Sequence, residues 1–218
     1  MARIDRLMLA AAAAMAATAV QAAPLTTAKV GAPAVNCVFN VTCKITVTDT
    51  VGEFALPGAS GKGRLQSRTF VGKTDAKGTI RGYQYRLDLA NVSAATGAPC
   101  VSAVKITGAI PLHVPLDFNG DGTADDAFAV TSGGLGTLAP VASDGGDAGM
   151  VFNFSPAVCA GSSGGKGQGS VFFGLAAYLA PVGLPDPLYA SIQFTPGGPW
   201  TPVSARAPNI CAFIGSCP

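Results

Sequence analysis

Between Thr79 and Val92 the chain alternates: Tyr83, Tyr85, Leu87 and Leu89 fall on one face, Gln84, Arg86 and Asp88 on the other. A period of two belongs to a strand with one face in a core. Such a strand satisfies its backbone polar groups only beside other strands. The neighbouring sequence supplies them. Gly63 to Val71 reads as a partner, joined through Lys73-Thr-Asp-Ala-Lys-Gly78, a hairpin-type turn. Lys44 to Val51 alternates too, with Ile45, Val47 and Val51 expected inward and Thr46, Thr48 and Thr50 outward. Val101 to Val114 sets Val104, Ile106, Ile110 and Leu112 on one side, with Pro111 marking a bulge or an edge. Shorter strand segments are Ala127 to Thr131, Met150 to Phe154, Val171 to Leu179 and Ala190 to Thr195. Phe172 to Leu179 also fits a short helix, but its aromatics and the glycines before it favour a buried strand. Gly161 to Ser170 reads as a mobile Gly/Ser loop, and the proline-rich Thr195 to Pro208 as an extended surface run. The expectation is an all-β chain: one antiparallel β-sandwich or jelly roll over residues 24–218.

Composition agrees, since 28 Gly and 16 Pro supply turns while a charged fraction of 12% is too low for long solvated helices. Residues 1–23 read as a cleaved secretory signal. Arg3 and Arg6 precede an apolar run from Leu7 to Val20, and Val20-Gln21-Ala22 offers a small-residue cleavage site. The run is shorter than the roughly 20 residues a membrane span needs. A secreted or periplasmic protein without a transmembrane segment is expected. Cleavage removes two of 14 cationic and one of 12 acidic residues and leaves a net charge of +1, a balance that argues against nucleic acid as a partner.

Export makes the six cysteines a disulfide framework. Cys37 with Cys43 and Cys211 with Cys217 are equal short intervals, which leaves Cys100 with Cys159. The rival is a staple between the ends, Cys37 with Cys211 or Cys217.

The most legible chemistry is Asp117-Phe-Asn119-Gly-Asp121-Gly122-Thr123-Ala-Asp125-Asp126, which holds four of the chain's 12 acids. Counting from Asp117, oxygen-bearing side chains stand at positions 1, 3, 5 and 9: Asp117, Asn119, Asp121 and Asp125. Gly122 makes the sharp turn at position 6, and Thr123 offers its carbonyl at 7. This alternation lets one short loop wrap several oxygens around a hard cation at about 2.3–2.6 Å. The loop resembles the DxDxDG calcium loops of dockerins, thrombospondin type 3 repeats and, most closely, the FG-GAP blades of integrins. That resemblance implies a structural Ca²⁺ held by Asp117, Asn119, Asp121, Asp125 and the Thr123 carbonyl. Two departures stand out. Position 12 is Phe128, where EF-hands and dockerins place a bidentate acid, and the loop occurs once, so no propeller is implied. Asp126 is either a substitute oxygen or a solvent-facing acid. An Asn/Gly/Asp turn without an ion is the competing reading.

Other signals are weaker. Lys62, Arg64, Arg68, Lys73, Lys77, Arg81 and Arg86 crowd one hairpin, either as a polyanion surface or as a solvated sheet face. His113 is the chain's one histidine, and a triad would have to join it to Ser162 or Ser163 in Gly161-Ser-Ser-Gly-Gly165. Glu53 is the one Glu, so a glycosidase-type carboxylate pair is poorly supplied. Trp200 stands out as a candidate exposed aromatic for a sugar platform. The function expected is binding or extracellular assembly by a calcium-stabilised sandwich, with no catalytic residues assigned. The ligand would be a polysaccharide or another surface protein. The alternatives are a secreted hydrolase using His113 with a Ser or a carboxylate pair, and a subunit of an extracellular polymer or matrix.

Overall fold

The computed structural model describes residues 25–110, 112–146, 149–182 and 186–210. The expected leader and the Cys211–Cys217 pair lie outside these residues, as does Pro111. In chain order the elements are β1 (Thr27–Gly31), α1 (Ala34–Phe39), β2 (Val47–Phe54), β3 (Gly63–Asp75), β4 (Gly78–Asp88), β5 (Ser93–Ala94) and β6 (Cys100–Thr107). They continue with β7 (Ala127–Ser132), β8 (Pro140–Asp144), β9 (Gly149–Cys159), β10 (Gly161–Ser162), β11 (Phe173–Ala177), β12 (Ala190–Gln193) and β13 (Trp200–Pro202).

The chain is all-β. A six-stranded sheet in the order β1-β7-β11-β4-β3-β2 faces a five-stranded sheet in the order β13-β12-β6-β9-β8. All pairs in these two sheets are antiparallel except β1 with β7, which is parallel. The alternation of β4 lands as the pattern requires: Tyr83, Tyr85 and Leu87 point between the sheets. There they meet Phe173 and Leu175 of β11, Val104 and Ile106 of β6, and Met150 and Phe152 of β9. Phe173 is central, its ring 4.7 Å from Phe152 and 5.6 Å from Phe154. The predicted turn is a two-residue connection in which the Asp75 carboxylate accepts from the Lys77 and Gly78 amides at 2.8 and 3.1 Å. Phe172 to Leu179 contains strand β11, not a helix.

The six-stranded sheet has a second apolar face. Phe128 and Val130 of β7 alternate with Ala127 and Ala129, and the first pair points away from the sandwich. Val35 and Phe39 of α1, together with Phe118 from the 112–125 connection, cover that outer face. The disulfide Cys37–Cys43 ties α1 to the chain entering β2, and Cys100–Cys159 joins directly opposed residues of β6 and β9. Both pairings are the ones the spacing suggested.

Four expectations are corrected. In β2 it is Gly52 and Phe54 that are buried, while Val47 and Val51 are 37% and 53% exposed. The strand is an edge, and its inward face is the narrow one: a Cβ on Gly52 would stand 2.0 Å from the Ser204 carbonyl oxygen. The strand expected over Val101 to Val114 stops at Thr107, where Gly108 takes φ +79°. Residues 161–170 are not a free loop. Gln168 exchanges backbone bonds with Leu89 and Cys159, and Cβ atoms on Gly161 or Gly167 would meet backbone oxygens at 1.8 and 2.0 Å. Thr195 to Pro208 is not a surface run either. Val203, Ala205 and Ala207 alternate into the core, the Tyr85 hydroxyl donates to the Arg206 carbonyl, and the Arg206 amide donates to Ser67 Oγ. Proline there ends ladders without preventing alternate burial.

Candidate functional site

The Asp/Asn/Gly loop is closed at its base by a two-residue ladder. Leu116 and Asp125 exchange backbone hydrogen bonds at 3.0 and 2.8 Å, so residues 117–124 form the bend between them. Within it Gly120 and Gly122 take φ values of +79° and +88°, the region where a side chain would be strained. Asp117 organises the turn. Its Oδ1 accepts from the Gly120 and Asp121 amides at 2.7 and 3.0 Å, and its Oδ2 from the Gly122 amide at 2.9 Å. Asp121 Oδ1 accepts from the Thr123 amide at 2.8 Å, and Asn119 Nδ2 donates to Asp121 Oδ2 at 2.8 Å. Phe118 is the anchor, buried with its ring 4.8 Å from Phe128 and 6.0 Å from Phe39.

Among the described residues, no cationic side chain forms an ion pair with Asp117, Asp121 or Asp125. Asp125 Oδ2 is buried and makes no hydrogen bond. Burial pushes the Asp125 carboxyl above its ordinary value, and the negative charges of Asp121, Asp117 and Asp126 push it further. Asp121 moves the other way, held down by the Thr123 amide and the Asn119 side chain. Among the described residues, no three His, Cys, Asp or Glu side chains form a ready cage. The oxygen-bearing groups of the bend are three carboxylates, the Asn119 amide oxygen and the Thr123 carbonyl. Asp117 Oδ1 already accepts two amide hydrogens, whereas Asp117 Oδ2 and both Asp121 carboxylate oxygens accept one each and keep a second lone pair.

Two neighbours of the loop are accounted for. Phe128, at the position where a closing acid would stand, is fully buried. Asp126 turns away from the bend. Its Oδ1 lies 2.9 Å from His113 Nε2, and its Oδ2 accepts from the Thr26 amide and hydroxyl at 2.8 and 2.9 Å. Burial raises the Asp126 carboxyl, but the bonds from His113 and Thr26 outweigh it and leave the group below its ordinary value. Asp126 thereby pins the start of β7 to the start of β1.

His113 and the serines are not brought together. His113 bridges Ala177, which pairs with Arg81 at one end of β4. The 161–170 segment bonds to Leu89 and Val92 at the other end. Eight residues of strand separate Arg81 from Leu89, roughly 26 Å at the rise of a β-strand. Glu53 is exposed and pairs with Arg64 at 3.3 Å. Arg68 pairs with Asp49 at 2.8 Å and Arg86 with Asp88 at 3.1 Å. The outer face of β2, β3 and β4 is therefore a mosaic of both signs: register between β2 and β3 sets Glu53 opposite Arg64 and Asp49 opposite Arg68, while Asp88 stands two residues from Arg86 on β4. Spacing along one strand could reveal only the last of these pairs. Trp200 lies on β13, the edge of the five-stranded sheet, 37% exposed. Among the described residues, no helix is long and apolar enough to cross a membrane.

No family model matches this chain, and no curated protein or solved structure matches it.

Proposed function

We propose that this chain is an exported β-sandwich, secreted or periplasmic, whose 117–125 bend holds a structural Ca²⁺ and which acts by binding or by extracellular assembly. The observation that carries the calcium reading is the buried, unpartnered Asp125 Oδ2 among the charges of Asp117 and Asp121. A divalent cation offsets that repulsion, and Asp117, Asn119, Asp121, Asp125 and the Thr123 carbonyl are the oxygens that would hold it. The two disulfides support export to an oxidising compartment. The distance between His113 and the serines weighs against the triad alternative, and the paired arginines weigh against a polyanion surface.

Calcium at this bend supports the fold through Phe118 and the ladder at Leu116 and Asp125, both of which feed β7. For a site with Kd about 10⁻⁴–10⁻³ M, calcium at about 10 mM stabilises the native state by about 1.4–2.7 kcal/mol. In a domain of this size that raises Tm by roughly 3–10 °C above the chelated protein. Differential scanning calorimetry with chelator, then with calcium restored, checks this. Magnesium is expected to restore less, since it prefers a smaller, rigid octahedral shell. Melting temperatures that ignore both chelator and calcium would leave the bend as a turn without an ion.

A further inference from the structure

The outer face of the six-stranded sheet carries a cleft of about 380 Å³, none of whose lining residues belongs to the 117–125 bend. Its walls come from three places. Val35 and Asn36 of α1 form one side, Ile45 and Val47 at the entrance to β2 form another, and Val130 and Phe172 form the third. The Cys37–Cys43 disulfide clamps the first wall to the second. On the floor stand Arg68 and Gln84, direct cross-strand partners on β3 and β4.

These two polar side chains are not spent on the fold. Gln84 is only 5% exposed as a residue; among the described residues its side-chain amide has no hydrogen-bond partner, and its polar atoms keep access to the cleft instead of being sealed in the core. Arg68 stacks its guanidinium 4.3 Å above the Phe172 ring and gives only its Nε to Asp49. Among the described residues neither terminal NH₂ group has an acceptor. A planar cationic fork, a free primary amide and aliphatic walls converge in one recess near the lower size limit of ligand pockets.

We propose that this cleft binds a small carboxylate with an apolar body: the Arg68 fork and the Gln84 amide take the carboxylate, and the α1, β2 and Val130–Phe172 walls take the apolar part. Arg68 suits the role because its two terminal NH₂ groups match a carboxylate in a bidentate arrangement, and the Phe172 ring and Asp49 already fix its plane. Gln84 adds a donor where desolvation makes each bond count for more. The inference deepens the reading of the domain as a binding protein and does not depend on calcium at the bend.

The test uses the purified exported chain and two probes of about a dozen non-hydrogen atoms, 4-phenylbutanoate and its neutral analogue 4-phenylbutanamide. Titration is followed by the ¹⁵N–¹H signals of the Gln84 side-chain amide and the Arg68 guanidinium. The acid is expected to shift both, saturating with a Kd of about 1 mM or tighter. The amide is expected to bind about tenfold more weakly or worse, and Arg68→Met to weaken the acid by at least as much. Acid and amide binding equally well to the unmodified protein would overturn the proposal, whether or not Arg68→Met folds. So would the absence of a saturable shift at about twenty times the expected Kd. Each titration is run in chelator and in calcium. Loss of probe binding in both sinks the cleft assignment alone, while a calcium-insensitive melting temperature sinks the bend assignment alone.

Discussion

Replacing Cys100 and Cys159 together by serine is expected to lower stability by about 4 kcal/mol. The bond closes a loop with a sequence separation of 59 and joins opposed residues of β6 and β9, near the point where the chain leaves one sheet for the other. Beyond Cys159 the chain passes through residues 161–170 before it enters β11. Cutting the link therefore frees a long segment of the unfolded chain and loosens the crossing between sheets in the native one. A domain of this size should lose roughly 8–16 °C in Tm. Urea unfolding of the double variant against the oxidised parent measures it. A difference below about 1 kcal/mol would mean that loop closure contributes little here.

Phe118→Ala is the second large effect, at about 3–5 kcal/mol. Phe118 is the one residue of the bend that enters the core, packed on Phe128 and Phe39 and 3% exposed. Truncation leaves a cavity between α1, β7 and the bend, and neighbouring rings on a fixed sheet can collapse into it only in part. The consequence reaches the oxygens, because Asp117 and Asn119 flank this side chain. Calcium should bind the variant more weakly than the parent even where both are folded. Chemical denaturation gives the stability loss, and the same experiment repeated in calcium gives the coupling. A variant as stable as the parent would show that the bend is not anchored through this ring.

What was legible in the sequence was local. The alternation of Tyr83, Tyr85, Leu87 and Leu89 needs only the geometry of one strand, and the turn at Asp75 and Gly78 only its own side-chain bonds. The Asp117–Asp125 spacing likewise specified a tight bend, and the structure forms one. What escaped depends on partners far along the chain. β1 pairs in parallel with β7 across about 100 residues, and no local pattern marks it. In β2 the valines looked inward by composition, but the edge position and the close approach of Ser204 set Gly52 and Phe54 inward instead. Glycines at 161 and 167 read as slack and are in fact close-packing positions. The recess with Arg68 and Gln84 went unseen for a related reason. Its residues come from α1, from the chain entering β2, from β3 and β4, and from around β7 and β11, and only strand register and one disulfide bring them together.

Calorimetric titration of Ca²⁺ into chelator-treated protein, run in parallel on Asp121→Ala, tests the account at its centre. One site with Kd about 10⁻⁴–10⁻³ M in the parent, and none in the variant, is the expected result. Heats no larger than dilution in the parent, or the same isotherm in both proteins, would contradict it.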